Sequence, residues 1–304
     1  MLWLSRPELA AAVSNAGGLG IIDALSSPTA EDFRQEIRQM KSLTDKPFAV
    51  NITLMPTRRP INREEYINAA LEEGVNIFET SGRSPEPYME WLKAARVKLL
   101  HKVARIRDAK TAERLGVDAV TIVGCEAGGH PGTEDVTSLT LIPRAVGSLK
   151  IPIIAGGGFS DGRGLVAALA LGAEGVIMGT RFMASQECPM HPKIKELLLH
   201  TRETDTIMIE RSIKNGARVI KTDFSLKVAR METRGATLAE LYPLINGARI
   251  KKAYTSGDTN DSILYCGQVV GSINKILSVR EIIDGIMSDA KAALERLNKM
   301  GINI

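Results

Sequence analysis

The chain has 304 residues, 44% hydrophobic and 24% charged, with a net charge of +4. That length can bury a barrel of about 250 residues with extra elements beside it. The low charge, with no basic stripe interleaved with aromatics, leaves nucleic-acid binding unsupported, and no run of about 18 uncharged apolar residues is present for a membrane span.

Cys125, Cys188 and Cys266 are far apart and lack metal-ligand spacing. A sparse, odd cysteine set in a large chain points to a reducing, cytoplasmic setting. Met1–Leu4 is apolar, but Arg6 and Glu8 follow and no basic segment precedes it, so it does not read as a secretory signal.

Ser5-Arg6-Pro7-Glu8 reads as a capping box with proline in the first turn of a helix that stops at Gly17-Gly18. Short apolar strands follow at Leu19–Ile22, Phe48–Ile52, Asn76–Phe78, Lys98–His101, Ala119–Val123, Pro152–Ala155 and Val176–Met178. Helices fall between them near 29–42, 63–73, 86–95, 107–115, 139–148 and 161–171. Such alternation, with strands apolar on both faces, predicts an α/β fold with a parallel sheet covered by helices.

A closed (β/α)8 TIM barrel needs eight strands. Seven are found, and the chain opens on a helix. The expectation is a barrel lacking strand 1, with that strand encoded upstream of Met1. An open, doubly wound sheet is the alternative, set back by the lack of a dinucleotide fingerprint at a switch point. Beyond Thr180 the periodicity is helical, with candidates at His191–His200, Thr237–Leu244 and Val279–Leu297, and Gly216–Phe224 reads as a connection. The expected organisation is a barrel over 1–181, a helical subdomain over 182–275 covering the barrel's C-terminal face, and a final segment, 276–304, returning to the wall.

Chemistry concentrates at three strand ends. Cys125-Glu-Ala-Gly-Gly-His-Pro-Gly132 follows the fifth strand. Gly128 and Gly129 allow a close backbone approach to something flat, because glycine lacks a Cβ. His130 places at the rim a side chain that exchanges a proton near neutral pH. Ala155-Gly-Gly-Gly158 and Gly175-Val-Ile-Met-Gly-Thr180 end the next two strands and lead into helices. Main-chain N–H groups at such turns favour an anion, and two in succession look like a barrel phosphate site. Lys102, at the end of the fourth strand, is a cation placed for a salt bridge at the barrel mouth.

Glu126-Ala-Gly-Gly-His130-Pro-Gly, Ala155–Gly158 with Ser160-Asp-Gly-Arg-Gly164, and Gly175–Phe182 together resemble the nitronate monooxygenase (2-nitropropane dioxygenase-like) family. The resemblance extends to Ala10–Gly20, Phe48–Thr53 and Tyr265-Cys-Gly-Gln268. It implies an FMN-dependent (β/α)8 barrel with a helical second domain. Relatives include NAD(P)H:quinone reductases and the flavin-dependent enoyl-ACP reductase II.

The resemblance assigns His130 as the catalytic histidine, acting as a base or a hydrogen-bond donor. Asn51 becomes a flavin-ring contact, and Lys102 a cation at the flavin's N1–C2 edge or ribityl chain, where it would stabilise the reduced ring. Gly128 and Gly129 lie at the flavin face, and Gly157, Gly158, Gly179 and Thr180 hold the FMN phosphate. Met1 resembles the family's methionine against the flavin. The implied reaction oxidises a nitronate with O2 to a carbonyl compound and nitrite. Quinone reduction by NAD(P)H and enoyl-ACP reduction are the alternatives, and an incomplete, flavin-poor barrel is the non-enzymatic one. A small-molecule substrate is the expected partner, no metal is expected, and a homodimer is left open.

Overall fold

The computed structural model describes residues 1–57 and 60–301. Seven strands, β1 (Gly20–Asp23), β2 (Phe48–Thr53), β3 (Ile77–Ser81), β4 (Lys98–Val103), β5 (Ala119–Val123), β6 (Ile153–Gly156) and β7 (Gly175–Ile177), pair in parallel, each with the next in sequence. The order follows from the connections. Each strand is joined to the next by a helix-bearing crossover, and such crossovers place successive parallel strands side by side.

The helices Ala30–Leu43, Arg63–Glu72, Ile106–Leu115, Ser138–Val146 and Gly162–Ala170 cover the sheet, and Ile22, Phe33, Val50, Phe78, Val120 and Ile142 are fully buried between the layers. Local capping agrees with this order. Thr29 and Asp32 form a reciprocal capping box, and Asp161 accepts the N–H of Gly164 at 2.9 Å.

The start of the chain corrects one expectation. Helix Pro7–Asn15 forms, but Ser5 does not cap it. The Ser5 hydroxyl donates to the Ile21 carbonyl at 2.5 Å, and the Asp23 N–H donates to the Ser5 carbonyl at 3.2 Å. A buried strand carbonyl competes for the hydroxyl and wins. Residues 1–5 therefore lie across the sheet's C-terminal rim, from the end of β1 to Gly179, where the Met1 sulfur sits 3.5 Å from a Cβ built on that glycine.

The second half corrects another. Its expected helical character omits an antiparallel pair, β8 (Thr206–Ile209) and β9 (Ala217–Ile220). Each strand is four residues long, too short to show a period, and together they pack with Ile194, Leu198, Val228 and Leu241 in a second core. Gly216 lies just before β9, so the supposed connection is half strand. Helices Pro192–His200, Asp223–Thr233, Leu238–Ile245 and Gly247–Ser256 complete this region. The last helix, Val279–Lys299, returns to the barrel wall so closely that its backbone at Ala290 leaves no room for a Cβ on Gly162. Residues 302–304, in the expected final segment, lie outside the described residues.

Candidate active site

The loop after β5 is held from three sides. The Glu126 carboxylate accepts the Ser138 N–H at 2.9 and 3.0 Å, where an anion suits the start of helix Ser138–Val146. The Ser138 hydroxyl is 2.7 Å from the Gly157 carbonyl, which ties this loop to the next strand end. Gly129 exchanges both backbone hydrogen bonds with Arg218 of β9, at 2.7 and 3.1 Å, and the Arg218 Nε donates to the Cys125 carbonyl at 2.8 Å. On the third side, the Gln268 N–H donates to the Glu126 carbonyl at 2.9 Å.

This clamp revises why Gly128 is a glycine. A Cβ there would lie 2.6 Å from the backbone of Cys266 and Gly267. The close approach is to the protein's own chain. Gly129, at φ +74°, has nothing within 4 Å of where a Cβ would sit and stays open. Burial raises the Cys125 thiol above its ordinary range, which favours its protonated form near neutrality.

His130 stands exposed at the rim beyond these glycines. Its ring centroid is 5.5 Å from that of Tyr265. Its Nε2 lies 3.1 Å from Asn215 Nδ2 and 3.9 Å from Glu210 Oε2. Asn215 and Glu210 belong to the turn between β8 and β9, and the helical reading of that stretch missed both.

The ends of β6 and β7 differ from the β5 loop. The N–H groups of Gly157, Gly158, Gly179 and Thr180 donate to no acceptor among the described residues. Gly157 and Gly158 take φ of +90° and +80°, which only glycine adopts freely. A Cβ on Gly157 would crowd Gly124, whereas one on Gly158 or Gly179 would meet only ordinary contacts at 3.5 Å or beyond. Four neighbouring donors without acceptors, at a barrel's last strand ends, fit a phosphate group. The Thr180 hydroxyl is already engaged, accepting the Gly267 N–H at 3.0 Å. Through Gly267 the phosphate-type loops and the histidine loop share one wall.

Asn51 and Lys102 meet elsewhere, on one carboxylate. Asn51 Nδ2 donates to Glu79 Oε2 at 2.6 Å and Lys102 Nζ donates to the same oxygen at 3.0 Å. Glu79 is 2% exposed and its Oε1 has no partner. Lys102 thus makes the salt bridge that its position allowed, and the orphaned oxygen is a feature that a ligand's donor group fits. Glu79 escaped the sequence reading, although a carboxylate inside the apolar run Ile77-Phe-Glu-Thr was a visible signal. No hydrogen bond among the described residues joins this trio to the His130 loop. Nearby, His101 shares a hydrogen bond with Thr80 at 2.8 Å, and burial pushes its imidazole down to about 4, so it is a neutral core residue.

A parallel βα sheet with donor-rich glycine turns and a histidine along one rim defines a barrel oxidoreductase of the flavin-dependent kind. The model of the nitronate monooxygenase family matches residues 1–289, and the chain belongs to that family. Its structure is similar to that of FabK from Thermotoga maritima, with a TM-score of 0.91 and 37% identity over 99% of this chain and 93% of that one. It is 32% identical to an octahydro-indene-carboxyl-CoA dehydrogenase of Rhodococcus jostii, over 99% of this chain and 93% of the relative. It is also 32% identical to a probable nitronate monooxygenase of Staphylococcus saprophyticus, over 96% and 93%. Among the described residues no helix is long and apolar enough to cross a membrane.

Proposed function

We propose that this oxidoreductase uses FMN and oxidises alkyl nitronates with O2 to carbonyl compounds and nitrite. The observation that carries the reading is the row of unengaged N–H groups at Gly157, Gly158, Gly179 and Thr180, one strand away from His130. Bound there, FMN would supply the electron-accepting chemistry. The chain's own residues do the rest. The four N–H groups hold the phosphate. Asn51, Lys102 and the free oxygen of Glu79 offer donors and an acceptor to the ring system or ribityl chain. Gly129 leaves backbone space beside His130, and His130 presents a ring nitrogen to the substrate.

Reduction of an enoyl thioester is the second reading. It is favoured by the likeness to FabK, an enoyl-ACP reductase, and by the acyl-CoA named for the Rhodococcus relative. NAD(P)H-dependent quinone reduction is a third. The unpaired cysteines fit a cytoplasmic setting.

Steady-state turnover separates the three. Propionate-3-nitronate with O2, NADH or NADPH with benzoquinone, and NADH or NADPH with crotonyl thioester are compared on one preparation. The proposal expects the highest kcat/KM on the nitronate. A higher value on either alternative overturns that choice of substrate.

A further inference from the structure

Glu210 is an unusual residue for a hairpin turn. It is 2% exposed, its Oε1 has no hydrogen-bond partner, and its backbone is left-handed at φ +63°. A non-glycine residue there is strained, and such strain persists only where its surroundings impose it. Here the Glu210 N–H donates to Glu232 Oε2 at 2.7 Å and its carbonyl accepts the Asn215 N–H at 3.0 Å. The basic group within ion-pair range of the carboxylate, among the described residues, is His130.

Asn215 stands between the two. Its Nδ2 is 2.5 Å from Glu210 Oε2 and 3.1 Å from His130 Nε2. A carboxylate oxygen accepts only, so the amide must present its NH2 to Glu210 and cannot be flipped without setting oxygen against oxygen. The second proton of that NH2 is then the one directed at His130. An imidazole nitrogen that receives a proton donor carries a lone pair, so Nε2 is bare and the ring proton sits on Nδ1.

We propose that Glu210 and Asn215 are positioning residues for His130: Glu210 fixes the Asn215 amide, and Asn215 fixes His130 as the neutral Nδ1–H tautomer. His130 then serves the substrate as a hydrogen-bond donor through Nδ1, with Nε2 already occupied, and not as a general base. That role suits an anionic substrate oxygen, whose charge a fixed donor stabilises without taking up a proton. The strain at Glu210 is the local cost of bringing a buried carboxylate under the amide. His130's part in turnover rests on the oxidoreductase reading; its tautomer does not.

The test uses full-length protein labelled with 15N-histidine, of which the chain has four. His130 resonances are assigned by their loss in His130→Ala. At pH 8.5 the proposal expects Nδ1 protonated and Nε2 bare in the wild type, and a mixture containing Nε2–H in Asn215→Ala and in Glu210→Leu. Glu210→Gln, which still offers an oxygen to the amide, restores the Nδ1–H form. On the best substrate found, Asn215→Ala lowers kcat by about tenfold with KM nearly constant, and adds less than about twofold on a His130→Ala background. Nε2–H in the wild type, or a tautomer unchanged in Asn215→Ala, overturns the proposal. So does an equal loss of kcat with and without His130. If no substrate is turned over, the oxidoreductase reading fails while the tautomer still decides the positioning roles.

Discussion

The glycines after β5 and those after β6 and β7 look alike in sequence and do different things. Gly128 lacks a Cβ because the Cys266–Gly267 backbone passes 2.6 Å from where it would be, and the Gly129 N–H is consumed by Arg218. Gly158 and Gly179 face ordinary contacts, and their N–H groups are unengaged among the described residues. A glycine pair therefore announces close approach without saying by what. The deciding fact is whether the neighbouring donors are already used. One strand end is a fastening between the two halves of the molecule, and the other two carry the free donors proposed to hold the phosphate.

Substitutions can break that contrast, beginning with the residue that the fastening holds. His130→Ala is expected to keep its flavin and its melting temperature while turnover falls about 10²–10³-fold, the effect of one lost donor at developing charge. Loss of flavin in that variant would put His130 among the binding groups instead.

The next effect concerns a histidine on the other side of the contrast, in the barrel's buried layer. His101 is buried and its imidazole lies at about 4, below the ordinary 6.5. The unfolded chain binds the proton more readily, so this residue's contribution is whole above pH 6.5 and is lost as pH falls towards 4. Its size is on the order of 3 kcal/mol. Thermal melts from pH 7.5 to 4.5 should show a shallower decline in His101→Gln than in the wild type. Parallel curves for the two proteins would contradict the burial account.

A smaller effect separates the glycines themselves. Gly128→Ala places a methyl against backbone that cannot swing aside, at a cost of about 1–3 kcal/mol. The clamp on the histidine loop loosens with it. Protection of the Gly129 amide against hydrogen exchange should fall in this variant, and unchanged protection would mean that the hairpin and the loop are held by something else.

The barrel half was legible because each strand is a short apolar run followed by an amphipathic helix, and these are local, repeated signals. Asp161 and Thr237 cap the helices that follow them in the same local way, each being satisfied within its own first turn. Ser5 shows the limit. Its pattern is that of a cap, yet the Ile21 carbonyl, 16 residues on, takes the hydroxyl. The β8–β9 pair failed differently, since four-residue strands carry no period and the polar turn between them resembles any loop. In the site, His130 and the phosphate-type glycines stood out by composition. Glu79 joins Asn51 and Lys102 across 28 and 23 residues, and Glu210 reaches His130 from a turn 80 residues away, so neither pairing leaves a local trace.

The most direct test of the phosphate site proposed at β6 and β7 is flavin binding by Gly179→Val. Gly179 has φ −107°, open to any residue, and a Cβ there meets only the flexible Met1 side chain at 3.5 Å. The variant should therefore fold and melt like the wild-type apoprotein. Flavin released by denaturation is identified by mass and its affinity measured by fluorescence titration of apoprotein. The account predicts FMN bound by the wild type and an affinity weaker by at least about tenfold in the variant, or about 1.4 kcal/mol. Equal affinity for FMN in the two proteins would contradict it.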